Sequence, residues 1–256
     1  MRWQEKNLNT VNTKESNMNK IYESYIRLYD NVFDEEFCSN FIDDYERVME
    51  YDFEKVRSLS LCHTPEGNKM CPSCNCTRVN IMEHDSFSKY TVKLLKNYAS
   101  CILQYRKDCN LTNAQISSDA NSWGWEEFKI KRYKVGEGLP TDEQFTEHVD
   151  VNSHAGAKRY LIGILYLNEN FTGGETDFIH HGITLTPKTG SLLIFPPLWT
   201  YLHRGLPIKG GSSKYICITY LNYPDMASVD YAKNPLAGTV TSPNHGSMAA
   251  KTLGYT

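Results

Sequence analysis

The sequence has no long apolar run. No stretch of its 256 residues approaches the roughly 20 consecutive apolar residues of a membrane-spanning helix, so we expect no membrane partner. Residues 1–20 contain no apolar segment of the kind that a secretory signal peptide carries. Together these two absences predict a cytoplasmic protein.

The sequence also lacks an excess of either charge. It contains 27 Lys and Arg residues against 30 Asp and Glu residues, which gives a formal net charge of -3. A protein that neutralises many phosphates carries a strongly basic surface, so nucleic acid is not an expected partner. Hydrophobic residues make up 40% of the chain, which is enough for one sizeable core.

The composition divides the chain into three parts. Residues 1–20 are rich in Asn, Lys and Glu and poor in large apolar side chains, which predicts a disordered segment. Residues 225–256 are rich in Ala, Ser, Gly, Pro and Asn, which predicts a flexible tail. Between them we expect a single domain over 21–224, with supporting helices in 21–121 and a β core in 122–224.

Hydrophobic spacing predicts the elements of that domain. Apolar residues recur at helical spacing from Phe37 to Met49, with Asp34 as a candidate N-cap, and again within 87–106. The second half instead contains short β-branched and aromatic runs separated by Gly and Pro turns. This pattern is typical of an α+β protein with a mainly β core, built as a sandwich or jelly roll. The predicted strands are Phe128–Tyr133, Tyr160–Leu167, Ser191–Phe195 and Lys214–Leu221.

The segment around His148 carries the strongest chemical signal. His148 and Asp150 are two residues apart, so in a strand both side chains project to the same face. His203 follows the predicted strand Ser191–Phe195 and could supply a third ligand from elsewhere in the sheet. Two His and one carboxylate on one face of an octahedron leave three open positions, which is the arrangement of non-haem Fe(II) oxygenases.

Those open positions suit a chelating keto acid and O2. If 2-oxoglutarate occupied two of them, its distal carboxylate would need a cation in the pocket. Lys214 begins an apolar strand and shares a face with Ile216 and Ile218, where a cation is costly unless it meets an anion. Tyr166, on another apolar strand, could donate its hydroxyl to the same carboxylate.

Six short motifs follow one another in a recognisable order. They are Arg132-Tyr133 with Gly136-Glu137, His148-Val-Asp150, Tyr166-Leu-Asn168, Gly173-Gly-Glu-Thr-Asp-Phe178, Pro187-Lys-Thr-Gly190, and His203 with Lys214. In this order they resemble the prolyl 4-hydroxylase branch of the Fe(II)- and 2-oxoglutarate-dependent dioxygenases, which includes collagen, hypoxia-sensing and viral enzymes. Each motif is weak alone, and their joint order carries the resemblance.

The resemblance implies a double-stranded β-helix, a jelly roll of the cupin type, supported by N-terminal helices. It implies an iron site at His148, Asp150 and His203, with Lys214, Tyr166 and Tyr133 on 2-oxoglutarate. The cofactors would be Fe(II), 2-oxoglutarate, O2 and ascorbate. The expected reaction is 4-hydroxylation of prolyl residues in a peptide or protein, with 2-oxoglutarate converted to succinate and CO2.

One departure from the family pattern bears on the substrate. Phe145 stands three residues before the metal His, where Tyr is common in the family. The pocket therefore lacks a hydroxyl at this position, and we expect a substrate pocket that differs from the usual one.

The loop 60–80 holds a second candidate metal site. It contains Cys62, Cys71, Cys74 and Cys76, and Cys-x-x-Cys is a usual half-site for tetrahedral zinc. A standard finger has two separated Cys-x-x-Cys pairs, so reduced thiols remain an alternative to Zn(II). Bound zinc would stiffen the loop and shape the substrate entrance.

Two other functions stay open on the sequence. An oxygenase of the same fold could act on a small molecule or on another amino-acid side chain. A peptide-binding module could keep the fold without turnover, although the intact His-Asp-His set argues against that reading.

Overall fold

The computed structural model describes residues 24–51, 76–135 and 144–223. The predicted disordered segment, the predicted tail and three candidate zinc ligands, Cys62, Cys71 and Cys74, lie outside these ranges. The predictions made for them therefore stay predictions.

Two long helices lie where the apolar spacing predicts them. Helix α1 spans Glu35–Tyr51 and helix α2 spans Ser88–Asp108. The predicted cap forms at α1, where a carboxylate oxygen of Asp34 accepts a 2.7 Å hydrogen bond from the backbone N–H of Phe37. No helix within the described residues is long and apolar enough to cross a membrane.

The rest of the described chain consists mainly of short strands. All four predicted strands are present, with boundaries within one residue of the prediction. The strands are β1 (Arg27–Tyr29), β2 (Thr77–Asn80), β3 (Gly124–Trp125), β4 (Lys129–Tyr133), β5 (Phe145–His148), β6 (Arg159–Tyr166), β7 (Phe171–Gly173), β8 (Thr176–Phe178), β9 (Ile183–Leu185), β10 (Leu192–Phe195), β11 (His203–Gly205), β12 (Ile208–Gly211) and β13 (Lys214–Asn222).

These strands form antiparallel sheets that enclose an apolar interior. The large sheet has the order β1-β10-β6-β13-β4-β2, with β3 also paired to β13. A smaller sheet has the order β5-β11-β8-β9, and β7 pairs with β12. Ile164 and Phe195 of the large sheet share one apolar cluster with Phe178 and Ile183 of the smaller sheet. The two sheets therefore pack face to face, which confirms the predicted mainly β core.

The large sheet is buried on both faces. Its outer face packs against the helices, where Ile130 and Leu165 meet Phe41 and Leu94. Its inner face packs against the smaller sheet. Strands covered on both sides tolerate few polar residues, which explains why β6 and β13 are almost continuously apolar in the sequence.

Helix α2 is fixed to the centre of the large sheet by one tyrosine. The Tyr98 hydroxyl donates a 2.8 Å hydrogen bond to the carbonyl of Cys217 on β13. Its ring lies directly over Gly163 of β6, where an added Cβ would stand 2.7 Å from Tyr98 Cε1. Glycine at 163 is therefore required by the close approach of the ring.

We predict that Gly163→Ala destabilises the fold by about 1–3 kcal/mol, because the new methyl group must displace the Tyr98 ring. Thermal denaturation followed by circular dichroism measures the effect. Gly210→Ala is the matched control, since the nearest atom to its Cβ is Thr172 Oγ1 at 3.4 Å. Equal melting temperatures for the two variants would contradict the assigned role of the ring.

Candidate metal centre and cosubstrate cavity

The candidate metal centre lies between two strands of the smaller sheet. In the antiparallel pair of β5 and β11, His148 stands directly opposite His203, and their ring centroids are 4.3 Å apart. Asp150 follows the end of β5 by two residues, and its Oδ2 lies 3.6 Å from His203 Nε2. Candidate ligand atoms of the three residues all lie within 4.8 Å of one another. The structure thus brings the predicted iron ligands together.

Both histidines are oriented by the same local contact. His148 Nδ1 lies 2.7 Å from the carbonyl oxygen of Thr146, and His203 Nδ1 lies 2.9 Å from the carbonyl oxygen of Tyr201. A carbonyl can only accept a hydrogen bond, so each Nδ1 carries a proton and each Nε2 is the ring nitrogen available to a metal. Contacts of this kind fix ring orientation at metal sites.

The unsatisfied atoms of this group fit a divalent cation. His148 Nε2 and Asp150 Oδ2 are buried and have no hydrogen-bond partner among the described residues. Burial, followed by the nearby His203, lowers the pKa of His148 to about 4, so its imidazole is neutral. Two imidazoles and one carboxylate leave coordination positions free, as a non-haem Fe(II) site requires.

Asp150 is held by a second layer of polar groups. The Tyr220 hydroxyl donates a 2.5 Å hydrogen bond to Asp150 Oδ1. Burial and then the Asp150 charge raise the pKa of Tyr220 well above its usual value, so the phenol keeps its proton. The Arg159 guanidinium stacks 3.9 Å from the Tyr220 ring, and it forms a two-pronged ion pair with Glu126 at 2.7 and 2.8 Å. One Asp150 oxygen is therefore occupied while the other faces the histidines.

A cavity adjoins this centre. Its lining contains His148 and His203 together with all three residues predicted to bind 2-oxoglutarate, Tyr133, Tyr166 and Lys214. The remaining lining residues are Phe145, Ile164, Thr176, Gly205, Leu206, Ile208 and Ile216. A mainly apolar wall with few polar groups is typical of a small-molecule site.

Lys214 is the buried cation of this cavity. Its Nζ donates a 2.6 Å hydrogen bond to the carbonyl of Gly174 and lies 5.4 Å and 5.8 Å from the ring centroids of Tyr166 and Tyr133. Burial lowers the pKa of Lys214 to about 7, against the opposing charge of Glu175. A carboxylate in the cavity would restore the charge balance that burial disturbs.

Tyr166 has a partner that the sequence analysis missed. Its hydroxyl lies 2.7 Å from Thr176 Oγ1, and both side chains are buried. Thr176 belongs to the Gly-Gly-Glu-Thr motif, which offered a signal for its role. The Tyr220 contact was also missed, although Tyr220 shares a face with Lys214. Arg159 has no local sequence signal, because its partner Glu126 lies on a distant segment.

Cys76 is the one candidate zinc ligand that the structure describes. It is buried on the cavity side of the large sheet. It belongs to no group of candidate metal ligands within the described residues. The zinc site at Cys62, Cys71, Cys74 and Cys76 therefore stays a prediction.

We predict that Tyr220→Phe weakens metal binding by roughly 10–100-fold, because Asp150 loses the donor that orients it. Anaerobic titration of the metal-free protein with Fe(II) or Mn(II) measures this. Tyr215→Phe is the matched control, since Tyr215 lies on the opposite face of β13 and donates to Glu46 on α1. Equal metal affinities for the two variants would show that Tyr220 does not position the ligand.

Comparisons with known proteins agree with this geometry. Residues 128–222 match the family model of the 2OG-Fe(II) oxygenase superfamily. Human procollagen-lysine,2-oxoglutarate 5-dioxygenase 2 is 32% identical over 72 residues, which are 27% of this chain and 10% of the human protein. A candidate prolyl 4-hydroxylase of Acanthamoeba polyphaga mimivirus is 36% identical over 64 residues, which are 22% of this chain and 26% of that protein. The match thus covers a small part of each of these curated relatives.

The fold is similar to the crystal structure of a viral collagen prolyl hydroxylase from Paramecium bursaria Chlorella virus-1 in its 2OG complex. The TM-score is 0.53 at 19% identity, over 77% of this chain and 96% of that chain. This likeness supports the predicted double-stranded β-helix. All candidate ligands of the metal and of its cosubstrate fall inside the matched family segment. Residues 128–222 are therefore a 2OG-Fe(II) oxygenase domain.

Proposed function

We propose that this protein is an Fe(II)- and 2-oxoglutarate-dependent dioxygenase that hydroxylates a prolyl residue in a peptide or protein. One observation carries the proposal. His148, Asp150 and His203 converge with unsatisfied ligand atoms beside a cavity that buries Lys214. A cation site next to a buried ammonium suits a ligand that chelates metal at one end and carries a carboxylate at the other.

The groups that perform the oxidation come from outside the chain. When bound, Fe(II) and 2-oxoglutarate reduce O2, and one oxygen atom enters a substrate C–H bond while 2-oxoglutarate becomes succinate and CO2. The chain supplies position and exclusion of water. Thr146 and Tyr201 hold the histidine rings, Tyr220 holds Asp150, and Lys214 attracts the distal carboxylate of the cosubstrate.

The surface beside the metal centre favours a large substrate over a free small molecule. The turn after β10 leaves Leu198 42% exposed and Trp199 76% exposed. The same turn contacts the segment after Asp150, since the carbonyl of Pro197 accepts a 3.1 Å hydrogen bond from the N–H of Val151. Exposed apolar side chains at the edge of a site are typical of a surface that binds a peptide.

Proline is supported by the relatives, and lysine is the second candidate. The mimivirus relative is described as a candidate prolyl 4-hydroxylase and the viral structure as a collagen prolyl hydroxylase. The human relative is named as a procollagen-lysine dioxygenase and matches a similar length of chain. A test of the substrate must therefore offer both side chains.

We predict that the protein adds one oxygen atom to proline in a peptide library that contains both proline and lysine. The incubation holds Fe(II), 2-oxoglutarate and ascorbate, and mass spectrometry with fragmentation locates the oxygen. The modification should be lost in His148→Ala, because one metal ligand is removed.

His154→Ala is the control for this assay, since His154 lies outside the group of candidate ligands. Oxygen on lysine would replace the prolyl assignment with the lysyl one. Succinate without any modified peptide would retain the oxygenase and exclude both side chains. Neither product would overturn the proposed activity.

The pKa of Lys214 leads to a second prediction. Because the pKa of this buried ammonium is about 7 in the free protein, the group loses its charge as the pH rises above 7. The dissociation constant of 2-oxoglutarate should then increase by up to about 10-fold per pH unit between pH 7 and 9. Anaerobic titration monitored by intrinsic fluorescence measures this constant.

Lys214→Arg tests whether the effect belongs to this residue, because a guanidinium stays charged throughout that range. Its affinity profile should be flat between pH 7 and 9. A wild-type profile that is equally flat would show that Lys214 does not bind the cosubstrate as a titrating group.

A further inference from the structure

Asp150 is the one member of the candidate metal centre that lies outside the strands. Strand β5 ends at His148, and the chain between β5 and β6, residues 149–158, forms no strand. His148 and His203 face each other in a strand ladder, whereas no ladder pairing fixes the backbone of Asp150. Other groups must hold this residue if the three side chains are to meet at one cation.

The side chain of Arg159, the first residue of β6, reaches Asp150 by two routes. Its Nη1 donates a 3.2 Å hydrogen bond to the backbone carbonyl of Asp150. Its Cζ lies 3.9 Å from the centroid of the Tyr220 ring, and the Tyr220 hydroxyl donates to Asp150 Oδ1. One guanidinium therefore contacts the backbone of this residue directly and supports its carboxylate through Tyr220.

Glu126 holds the guanidinium in that position. The two carboxylate oxygens of Glu126 accept hydrogen bonds from Nε and Nη2 of Arg159 at 2.7 and 2.8 Å. A two-pronged pair of this kind fixes the plane of a guanidinium as well as its place. Nη1 is thereby directed at the carbonyl of Asp150.

The backbone of Glu126 is attached to β13 beside Tyr220. Its N–H donates a 2.9 Å hydrogen bond to the carbonyl of Tyr220, and its own carbonyl accepts a 2.9 Å hydrogen bond from the Thr219 hydroxyl. The side chains of Arg159 and Glu126 are 23% and 14% exposed, so water screens their ion pair only in part. A continuous set of contacts thus runs from β13 through this pair to Asp150.

We propose that Arg159 is a positioning residue for Asp150, and that its ion pair with Glu126 sets the affinity of the centre for a divalent cation. Without the guanidinium, the Asp150 carbonyl loses a donor and the Tyr220 ring loses the cation packed against it. The carboxylate is then free to move away from the two histidines. The inference concerns the metal centre and goes beyond the proposed function, because it holds for any substrate.

Metal binding without turnover tests the inference. The metal-free protein is titrated anaerobically with Mn(II), and electron paramagnetic resonance of the free ion gives the dissociation constant. Arg159→Met removes the charge and the donors of the side chain. We expect this variant to bind Mn(II) roughly 10–100-fold more weakly, as when other groups that orient a metal ligand are removed.

Glu126→Gln is a milder second variant. The arginine stays in place, but an NH2 group replaces one of its two acceptors, so the loss of Mn(II) affinity should be smaller than in Arg159→Met. Circular dichroism checks that both variants fold. Glu126 keeps Lys129 as a partner at 3.9 Å when Arg159 is removed, which limits the effect of Arg159→Met on stability.

Arg132→Met is the matched control. Arg132 pairs with both carboxylate oxygens of Glu46 at 3.0 and 2.8 Å, and its guanidinium lies 5.6 Å from the centroid of the Tyr45 ring. It makes the same kinds of contact as Arg159, but on the face of the large sheet that packs against the helices. Its removal should lower the melting temperature and leave the Mn(II) affinity unchanged.

A double variant tests the route through Tyr220. Because Arg159 acts partly through this ring, combining Arg159→Met with Tyr220→Phe should weaken Mn(II) binding by less than the product of the two single effects. A combined effect equal to that product would overturn the route through Tyr220.

Three outcomes would overturn the inference as a whole. One is an Arg159→Met variant that binds Mn(II) as tightly as the wild type, and weaker binding of a substrate peptide by that variant would assign Arg159 to the substrate. Another is an equal loss of affinity in Arg159→Met and Arg132→Met, which would follow from general destabilisation. The third is a wild type that binds no Mn(II), which would overturn the proposed function as well.

The inference and the proposed activity can fail separately. A loss of Mn(II) affinity confined to the variants of Arg159 and Glu126 would support the positioning role even if no peptide became hydroxylated. That failure would count against the proposed activity alone.

Discussion

The register of one antiparallel strand pair determines the candidate metal centre. Because His203 stands opposite His148 across β5 and β11, the two imidazoles share one face and their candidate ligand atoms lie close together. A shift of one residue would turn either ring to the other face of the sheet. Backbone carbonyls orient both rings and Tyr220 orients Asp150, so groups of the chain itself hold all three side chains in place. Such an arrangement reduces the reorganisation that binding requires.

The buried polar groups of this centre destabilise the folded state, and packing elsewhere in the fold offsets that destabilisation. Ligand atoms without partners and the buried ammonium of Lys214 lie inside the sandwich, where each destabilises the folded state. The outer face of the large sheet carries the opposing contribution. There α1 and α2 cover the sheet with aromatic side chains, and Tyr98 fixes α2 through both packing and a hydrogen bond. The outer face of the large sheet thus carries the packing that stabilises the fold. Its inner face carries the polar side chains of the candidate site.

Much of this could be predicted from the sequence, because the strongest signals are local. The spacing of Phe37 to Met49 and the apolar run of β6 correctly predicted a helix and a doubly buried strand. His148 and Asp150 share a face by periodicity alone, and the order of the motifs supplied His203. The missed features depend on the tertiary fold. Arg159 meets Glu126 across 33 residues of chain, and Tyr220 reaches Asp150 across 70 residues. Burial and pairing of that kind are properties of the assembled sandwich.

The residues that line the cavity also fall into two groups, those that the sequence motifs predicted and those that they did not. The wall formed by Tyr166, Thr176 and Lys214 comes from residues inside the recognised motifs, and its chemistry matches a cosubstrate that all such oxygenases share. The part of the wall formed by Phe145 lies outside the expected pattern, since Phe145 stands where a hydroxyl-bearing residue is common in the family. A ring without a hydroxyl cannot exchange a hydrogen bond with a substrate, so Phe145 offers an apolar contact only. The cosubstrate end of the cavity therefore follows the pattern that the motifs predict, whereas the Phe145 side of the cavity is where this chain departs from it.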